Sequence, residues 1–527
     1  MSEVPAPVKF PELIFGLAGP IGVDLDLVQS ILSAQLRQVN YESTPIKLTD
    51  EMRQFEVDDV AAAPESTDLF TTYNWKMDYA NALRNKYESG DTLARIAIKA
   101  IRSAREGLTG NESSPKKSRA YVVRQLKRPE EVTLLRRIYG RQFVLVSAYA
   151  PETKRVSRLC DELKLQLPTD TLSENIRHKA QILINRDASE SDDPKRGQKL
   201  RETFHMADVF TDGEDRQKIQ GTLQRFVEAL FGKNDISPNK DEYGMYAARS
   251  ASLRSADLSR QIGAAIFSRD GELIAQGCNE VPKFGGGTYW DGETPDNRDV
   301  KKGFDPNERL RVEVLRNAIE RLGKAGLLSE KAEEETPNEL VKSLIGEDGA
   351  FVDSQIMDLT EYGRVLHAEM CAICDAARLG LRLKHSILYC TTFPCHNCTK
   401  HIIAVGIERV VYMQPYPKSR ATELHSDEIE LEIITGSEVV SFVPFIGISP
   451  VRYREIFQKG KRKSDGAVKP WYHDVPKPMI DVDFPSYPNS EVWALAPLLG
   501  KTEAEATPGD QAPSQDPPVQ DTTPAAG

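Results

Sequence analysis

The sequence predicts an α/β chain of two domains, and three observations carry that expectation. Apolar strand-like runs alternate with helix-spaced segments over roughly the first 230 residues. A polar stretch with Pro and Asn, KNDISPNKD at 233–241, then interrupts the pattern as a linker. Beyond it, a strand hairpin precedes two helix starts that carry His, Glu and Cys at fixed spacing.

Composition narrows the classes. With 527 residues, 40% hydrophobic and 28% charged, the chain has material for more than one core and is not wholly disordered. The formal net charge of −11 argues against a general DNA binder. No apolar run reaches the ~18 residues of a membrane span. The N-terminus MSEVPAPVKFPELIFGLAG lacks the pattern of a secretion signal, so a cytoplasmic protein is expected. Of seven Cys, five (Cys371, Cys374, Cys390, Cys395 and Cys398) fall in one short stretch, which reads as metal or catalytic chemistry rather than a disulfide framework.

The first domain is expected over 1–232. Leu13–Gly19 reads as a strand, and Val23–Leu36 has helical apolar spacing. Ala120–Val123 reads as a second strand leading into a charged helix, Pro129–Tyr139. Gln142–Tyr149 is nearly all apolar, as a strand buried on both faces of a parallel sheet should be. Ala207–Gly213 supplies a last strand and turn. Between Asp59 and Ser118 the signal is helical and polar.

The second domain is expected over 242–500. It opens with a helix at Glu242–Ser259 and a hairpin, Gly263–Ser268 and Glu272–Gly277, around the turn Arg269-Asp270-Gly271. Residues 283–362 read as a long polar insertion, Gly-rich and then helical. A helix from His367, a strand at Ser386–Thr391, a helix at His396–Val405 and a strand at Arg409–Met413 follow. From 501 to 527 the chain is Pro-rich and acidic, with too little apolar surface to offset chain entropy, and disorder is expected.

The strongest chemical signal is His367-Ala368-Glu369 followed by Pro394-Cys395-His396-Asn397-Cys398. A catalytic Zn²⁺ takes three N/S protein ligands and leaves a fourth position to water. His367, Cys395 and Cys398 supply one imidazole and two sulfurs. Two Cys separated by two residues at a helix start can face one ion, and helix N-terminal amides favour the thiolate. Glu369, two residues from the His, is placed to move protons beside the open position. H-x-E…P-C-x-x-C is the signature of zinc-dependent base deaminases. A structural site would need a fourth ligand, for which Cys371, Cys374 and His401 are the candidates. Cys371 and Cys374 otherwise read as buried small residues, Cys278 and Cys390 as strand core, and His396 and His401 as packing or surface residues.

The stretch Ile387–Met413, ILYCTTFPCHNCTKHIIAVGIERVVYM, resembles deoxycytidylate deaminases of the cytidine deaminase fold. Arg260–Ile266 and Ala275–Glu280 resemble that family's first hairpin. The resemblance implies an α/β/α second domain, a zinc cofactor, and a nucleotide contact at Asn279, which otherwise reads as a turn residue. Two departures stand out: the long insertion, and Glu280 where Gly is usual.

Gly16-Leu17-Ala18-Gly19-Pro20-Ile21-Gly22 lies between a strand and a helix, where a phosphate-binding loop belongs. A working loop of this kind ends Gly-Lys-Ser/Thr, but Val23 and Asp24 stand at the Lys and hydroxyl positions. Gly16, Gly19 and Gly22 are candidates for nucleotide binding through backbone amides; the alternative is a turn with no ligand. Arg124, Lys127 and Arg128 form either a phosphate-facing patch or a solvated face. Tyr121–Leu135 and Phe143–Arg158 resemble segments of small-molecule P-loop kinases, which implies a P-loop kinase-like parallel sheet for the first domain, degenerate and regulatory in character.

Together the two halves resemble the bacterial anti-phage dCTP deaminases. That resemblance implies conversion of dCTP, and of dCMP, to the deoxyuridine nucleotide plus ammonia, depleting deoxycytidine nucleotides as an antiviral defence. It also implies restraint by a regulatory nucleotide or a small RNA, and a homo-oligomer. The alternative is a nucleic-acid cytosine or adenosine editing deaminase with the same zinc site, against which the acidic balance weighs.

Overall fold

The computed structural model describes residues 9–57, 60, 68–165, 173–190, 195–346, 349–351, 354–359, 361–415, 419–431, 438–471, 475–480 and 487–501. The Pro-rich acidic segment expected to be disordered falls almost entirely outside them. The chain divides into two units, residues 1–236 with 458–527, and residues 237–457.

In the first unit, the apolar run Leu13–Ala18 forms β1, followed by β2 at Glu42–Lys47, β3 at Arg119–Arg124, β4 at Phe143–Tyr149 and β5 at Val209–Asp212. Within this unit the strands lie in the order β2-β3-β1-β4-β5, and every pair is parallel. β1, β3 and β4 are buried throughout or nearly so, as continuous apolar runs in a central parallel sheet must be. β2 was not readable in the sequence. ESTPIK is polar and contains Pro45, and its burial pattern is that of an edge strand. Helices Leu25–Gln38 and Pro129–Tyr139 occupy the stretches expected for them, within two residues.

Residues 458–501 correct the expected boundary at 500, because this segment belongs to the first unit. Its helix Tyr487–Leu495 is anchored by a buried ionic network. Both oxygens of Glu491 accept from Arg105, at 2.7 and 2.8 Å, and Tyr139 donates to Glu491 at 2.9 Å. Arg105 also binds Glu12 at 2.9 Å, and Tyr487 donates to Glu12 at 2.7 Å. Arg105 and Glu491 are fully buried. Pairings across nearly 400 residues leave no local mark in the sequence. Glu491→Ala leaves Arg105 with Glu12 as its buried carboxylate and deprives Tyr139 of its acceptor; breaking this buried network should cost about 3–5 kcal/mol, read as a lowered denaturation midpoint, and an unchanged midpoint would contradict this assignment.

The second unit is an α/β/α layer structure. β6 (Gly263–Phe267) and β7 (Leu273–Cys278) form the expected antiparallel hairpin. β8 (Ile387–Thr392) lies antiparallel to β6, and β9 (Arg409–Gln414) runs parallel to β8. β10 (Ile429–Leu431) and β11 (Val440–Pro444) complete the sheet, in the order β10-β11-β9-β8-β6-β7. Helix Lys240–Ser252 packs on one face and helix Ala368–Leu379 on the other. The first of these stops seven residues before its expected end at Ser259. Ser252 bonds back to the Arg249 carbonyl at 2.8 Å, and Ser255 donates to the Asn279 carbonyl at 2.8 Å, drawing the chain out of the helix.

The insertion is folded. Helices Pro306–Lys324 and Pro337–Ile345 share a small core of Leu315, Ile319 and Val341. Asn307 stitches its end down, donating to the Leu359 carbonyl at 2.9 Å and accepting from the Tyr362 amide at 3.2 Å.

Candidate metal centre and catalytic site

The β8–helix–β9 segment presents the two Cys. β8 delivers the chain to Pro394, Cys395 caps helix His396–Ala404, and Cys398 lies in its first turn. On the adjoining helix, Ala368–Leu379, His367 is the N-cap and Glu369 sits in the first turn. Both sets of ligands therefore lie at helix N-termini, where the backbone dipoles favour negative charge.

Glycine brings the Glu369 helix onto the sheet. A Cβ on Gly277 would lie 2.2 Å from the Ala368 carbonyl oxygen and 2.5 Å from the Ala372 amide nitrogen. Gly277→Val should therefore push this helix off β7. We expect a loss of about 1–3 kcal/mol together with lower metal occupancy, read by thermal unfolding and elemental analysis; full stability and occupancy would contradict the packing argument.

His367 Nδ1 lies 3.3 Å from Cys395 Sγ and 3.4 Å from Cys398 Sγ. For tetrahedral Zn²⁺ the N to S separation is about 3.6 Å, so the three donors fit that ion. The three donor atoms lie within 4.8 Å of one another, and no other His, Cys, Asp or Glu among the described residues joins the set. Three ligands without a fourth are the pattern of a catalytic ion rather than a structural one. Of the alternative fourth ligands, Cys371 is buried in the core, whereas Cys374 is exposed, contrary to its expected burial. Cys278 and Cys390 are buried, as expected of strand core.

The electrostatics favour a thiolate at Cys395, while Cys395 and burial push the Cys398 thiol up. Cys395 is drawn down to about 4 by the Cys398 thiol and the His367 ring beside it. His367 is pushed up to about 9, chiefly by its hydrogen bond with Cys395. Glu369 is 3% exposed, and burial raises its pKa despite the helix N-terminus and the nearby His367. A carboxyl in this position can both accept and return a proton.

A cleft of 490 Å³ opens over this trio and is lined by His367, Glu369, Cys395 and Asn279. Asn279 is 6% exposed. Its Oδ1 accepts from the Ile262 amide at 2.7 Å and its Nδ2 donates to the Arg260 carbonyl at 2.8 Å, so it also fixes the loop at the cleft edge. Glu280 has a structural reason for replacing Gly: its buried carboxylate accepts from Ala256 at 3.0 Å and Val281 at 2.8 Å.

Sequence reasoning missed the cations of the cleft, Arg260, Arg364 and Arg420. Arg364 follows the insertion and is held by Asp299 at 3.1 Å and the Asn297 carbonyl at 3.0 Å. No local pattern marks these arginines, because folding alone gathers them from three distant segments. His396 also lines the cleft.

The first-unit glycine candidates separate. Gly16 is inside β1, where a Cβ would lie 2.5 Å from Leu126, so it serves packing. Gly19 and Gly22 lie in the following loop, with Gly22 at φ +90° against Arg155. Asp24 caps helix Leu25–Gln38 by accepting from Leu27 at 2.9 Å. Arg124, Lys127 and Arg128 are not a solvated face. They are buried, with Arg124 paired to Asp26, Lys127 to Asp187 and Arg128 to Glu130.

Fold and site bring a His, two Cys and a buried Glu together in an α/β/α unit, a set able to hold a metal ion. Residues 238–414 match the family model described as "Cytidine and deoxycytidylate deaminase zinc-binding region", about a third of the chain. Zinc is accordingly the cofactor that the His367, Cys395 and Cys398 set fits. The deoxycytidylate deaminase of Enterobacteria phage T2 is 40% identical over 55 residues, 10% of this chain and 29% of that protein. The probable deoxycytidylate deaminase of Drosophila melanogaster is 39% identical over 72 residues, 13% of this chain and 34% of that protein. The chain thus spans about a third or less of the curated relatives it matches.

Among solved structures, the apo dCMP deaminase from the cyanophage S-TIM5 is 16% identical, covering 40% of this chain and 100% of that one at a TM-score of 0.22. Shikimate kinase from Acinetobacter baumannii in complex with shikimate is 13% identical, covering 43% and 96% at a TM-score of 0.23. At such scores neither likeness bears on function. No helix among the described residues is long and apolar enough to cross a membrane.

Proposed function

We propose that the chain is a zinc-dependent hydrolytic deaminase of free deoxycytidine nucleotides, acting on dCTP and on dCMP, and that it serves anti-phage defence by depleting them. The observation that carries the reading is the three-ligand set with buried Glu369 beside it, at the floor of a cleft sized for a small ligand. When bound, zinc supplies the acidity that lets water act as a nucleophile near neutral pH. Glu369 takes a proton from the attacking water and delivers it to N3 of the cytosine ring. It then takes the proton of the new C4 hydroxyl and passes it to the departing amine, so water and cytosine become uracil and ammonia. Asn279 holds the sugar edge. The first unit acts as a regulatory domain that responds to a nucleotide or small RNA, and the active form is a homo-oligomer in the cytoplasm.

Arg260, Arg364 and Arg420 are the arginines of a cleft also lined by six carboxylates, and a nucleotide's phosphates compete with Asp299 for Arg364. A charged hydrogen bond to phosphate contributes about 1.5–3 kcal/mol, or about 10–100-fold. Arg364→Ala should raise KM for the nucleotide by that factor while leaving kcat within a few-fold; an unchanged KM would remove Arg364 from the phosphate site. Incubation with dCMP, dCDP, dCTP and CTP side by side, and with single-stranded DNA and tRNA, tests the substrate class. Deamination of the polymers alone would overturn it.

A further inference from the structure

A second cleft, of 260 Å³, lies within the first unit at the carboxyl ends of β1, β2 and β3. In open parallel sheets ligands bind outside the carboxyl ends of the strands, where the strand order reverses. Here the order reverses at β1, which lies between β3 and β4. The cleft is therefore where this fold class places a ligand.

The glycine loop beside it is already filled. Asp187 Oδ2 accepts from the Ile21 amide at 2.8 Å. Lys127 Nζ donates to Asp187 Oδ1 at 2.6 Å and to the Gly19 carbonyl at 2.9 Å. A side-chain carboxylate thus sits where a loop of this type would hold a phosphate. The cation that could have reached a ligand is spent on that carboxylate.

The remaining charge lies on the β2 side. Six cationic side chains and four carboxylates line the cleft, a positive balance in an acidic chain. Arg124 is neutralised by Asp26, and Arg158 by Asp24 and Glu162. Lys76 is partly buried and, among the described residues, has no hydrogen bond or ion pair; it only approaches the Tyr73 ring, at 5.8 Å. Lys47 has one exposed partner, Asp50, at 3.5 Å. Burial together with the nearby charges of Lys47 and Arg53 lowers the pKa of Lys76. Like charges gathered at a partly desolvated cleft are unfavourable until an anion joins them.

We infer that the first unit holds a small phosphomonoester, of mononucleotide size or less, gripped by Lys47 and Lys76 on the β2 side of the cleft and not by the glycine loop. The site binds without phosphoryl transfer, since Val23 and Asp24 stand at the usual Lys and hydroxyl positions.

The test is calorimetric titration of the full-length protein with AMP and with ribose 5-phosphate, neither of which carries cytosine. At least one should bind. Lys76→Met should weaken binding about tenfold or more, Lys76→Arg should retain it, and Arg364→Ala in the second unit should leave it unchanged. An unchanged melting temperature of Lys76→Met in the absence of ligand reports an intact fold. Lys47→Met provides a second variant on the cleft rim and should also weaken binding. Absence of heat with both probes, or binding lost in Arg364→Ala and kept in Lys76→Met, would overturn the inference. Either result leaves the deaminase reading to its own assay.

Discussion

Replacing Glu369 by Gln should reduce turnover of deoxycytidine nucleotides by about 10³-fold or more, with the metal retained. General acid–base groups contribute typically 10²–10⁴-fold, and in the proposed mechanism one carboxyl handles every proton. The amide keeps the size of the side chain and stays outside the His367, Cys395 and Cys398 set. The check pairs a product assay with elemental analysis of the same sample. Zinc at the wild-type level with turnover lost is the expected pair of results; turnover close to wild type would mean that Glu369 is not the proton carrier.

The second large effect is expected at the ligands. Cys395→Ala removes the sulfur most readily ionised in the set, the one drawn down to about 4. Two remaining donors hold a divalent ion poorly, and metal binding is coupled to local folding. Zinc should fall to a small fraction of one equivalent, and activity should disappear with it. In the wild type, a chelator should remove activity and added Zn²⁺ should restore it. A fully loaded Cys395→Ala protein would show that the ion is held elsewhere.

Those two predictions rest on residues that the sequence displays openly. His367 and Glu369 are two positions apart, Cys395 and Cys398 three, and each pair begins a helix, so local spacing carries most of the geometry. The central strands were equally readable: β1, β3 and β4 are runs of apolar residues because both of their faces are covered. What the sequence hid has a common physical origin. β2 is a polar edge strand, and its place depends on β3 rather than on its own pattern. The docking of residues 487–501 depends on Glu491 meeting Arg105 in the core. The filling of the glycine loop depends on Asp187, a residue of the helix Ser173–Ala188. Arg364 enters the cleft because the folded insertion returns the chain there. Each is a pairing between distant segments, and sequence periodicity carries no information about such pairings.

Asn279 shows both outcomes at one residue. The family resemblance implied a nucleotide contact there and the residue lines the cleft, yet its amide is also tied to the Ile262 amide and the Arg260 carbonyl. Substitution there should disturb the loop as well as any sugar contact. For that reason Asn279→Ala is a weaker probe of substrate binding than Arg364→Ala.

The most direct test of the central claim is the stoichiometry of the reaction. Purified full-length protein, loaded with zinc, is incubated with dCTP and separately with dCMP, and ammonia and the uracil nucleotide are both quantified. The account predicts one ammonia for each deoxyuridine nucleotide formed, and neither product with Glu369→Gln. Zinc-loaded protein that leaves both nucleotides unchanged, or forms the uracil product equally well without Glu369, would contradict it.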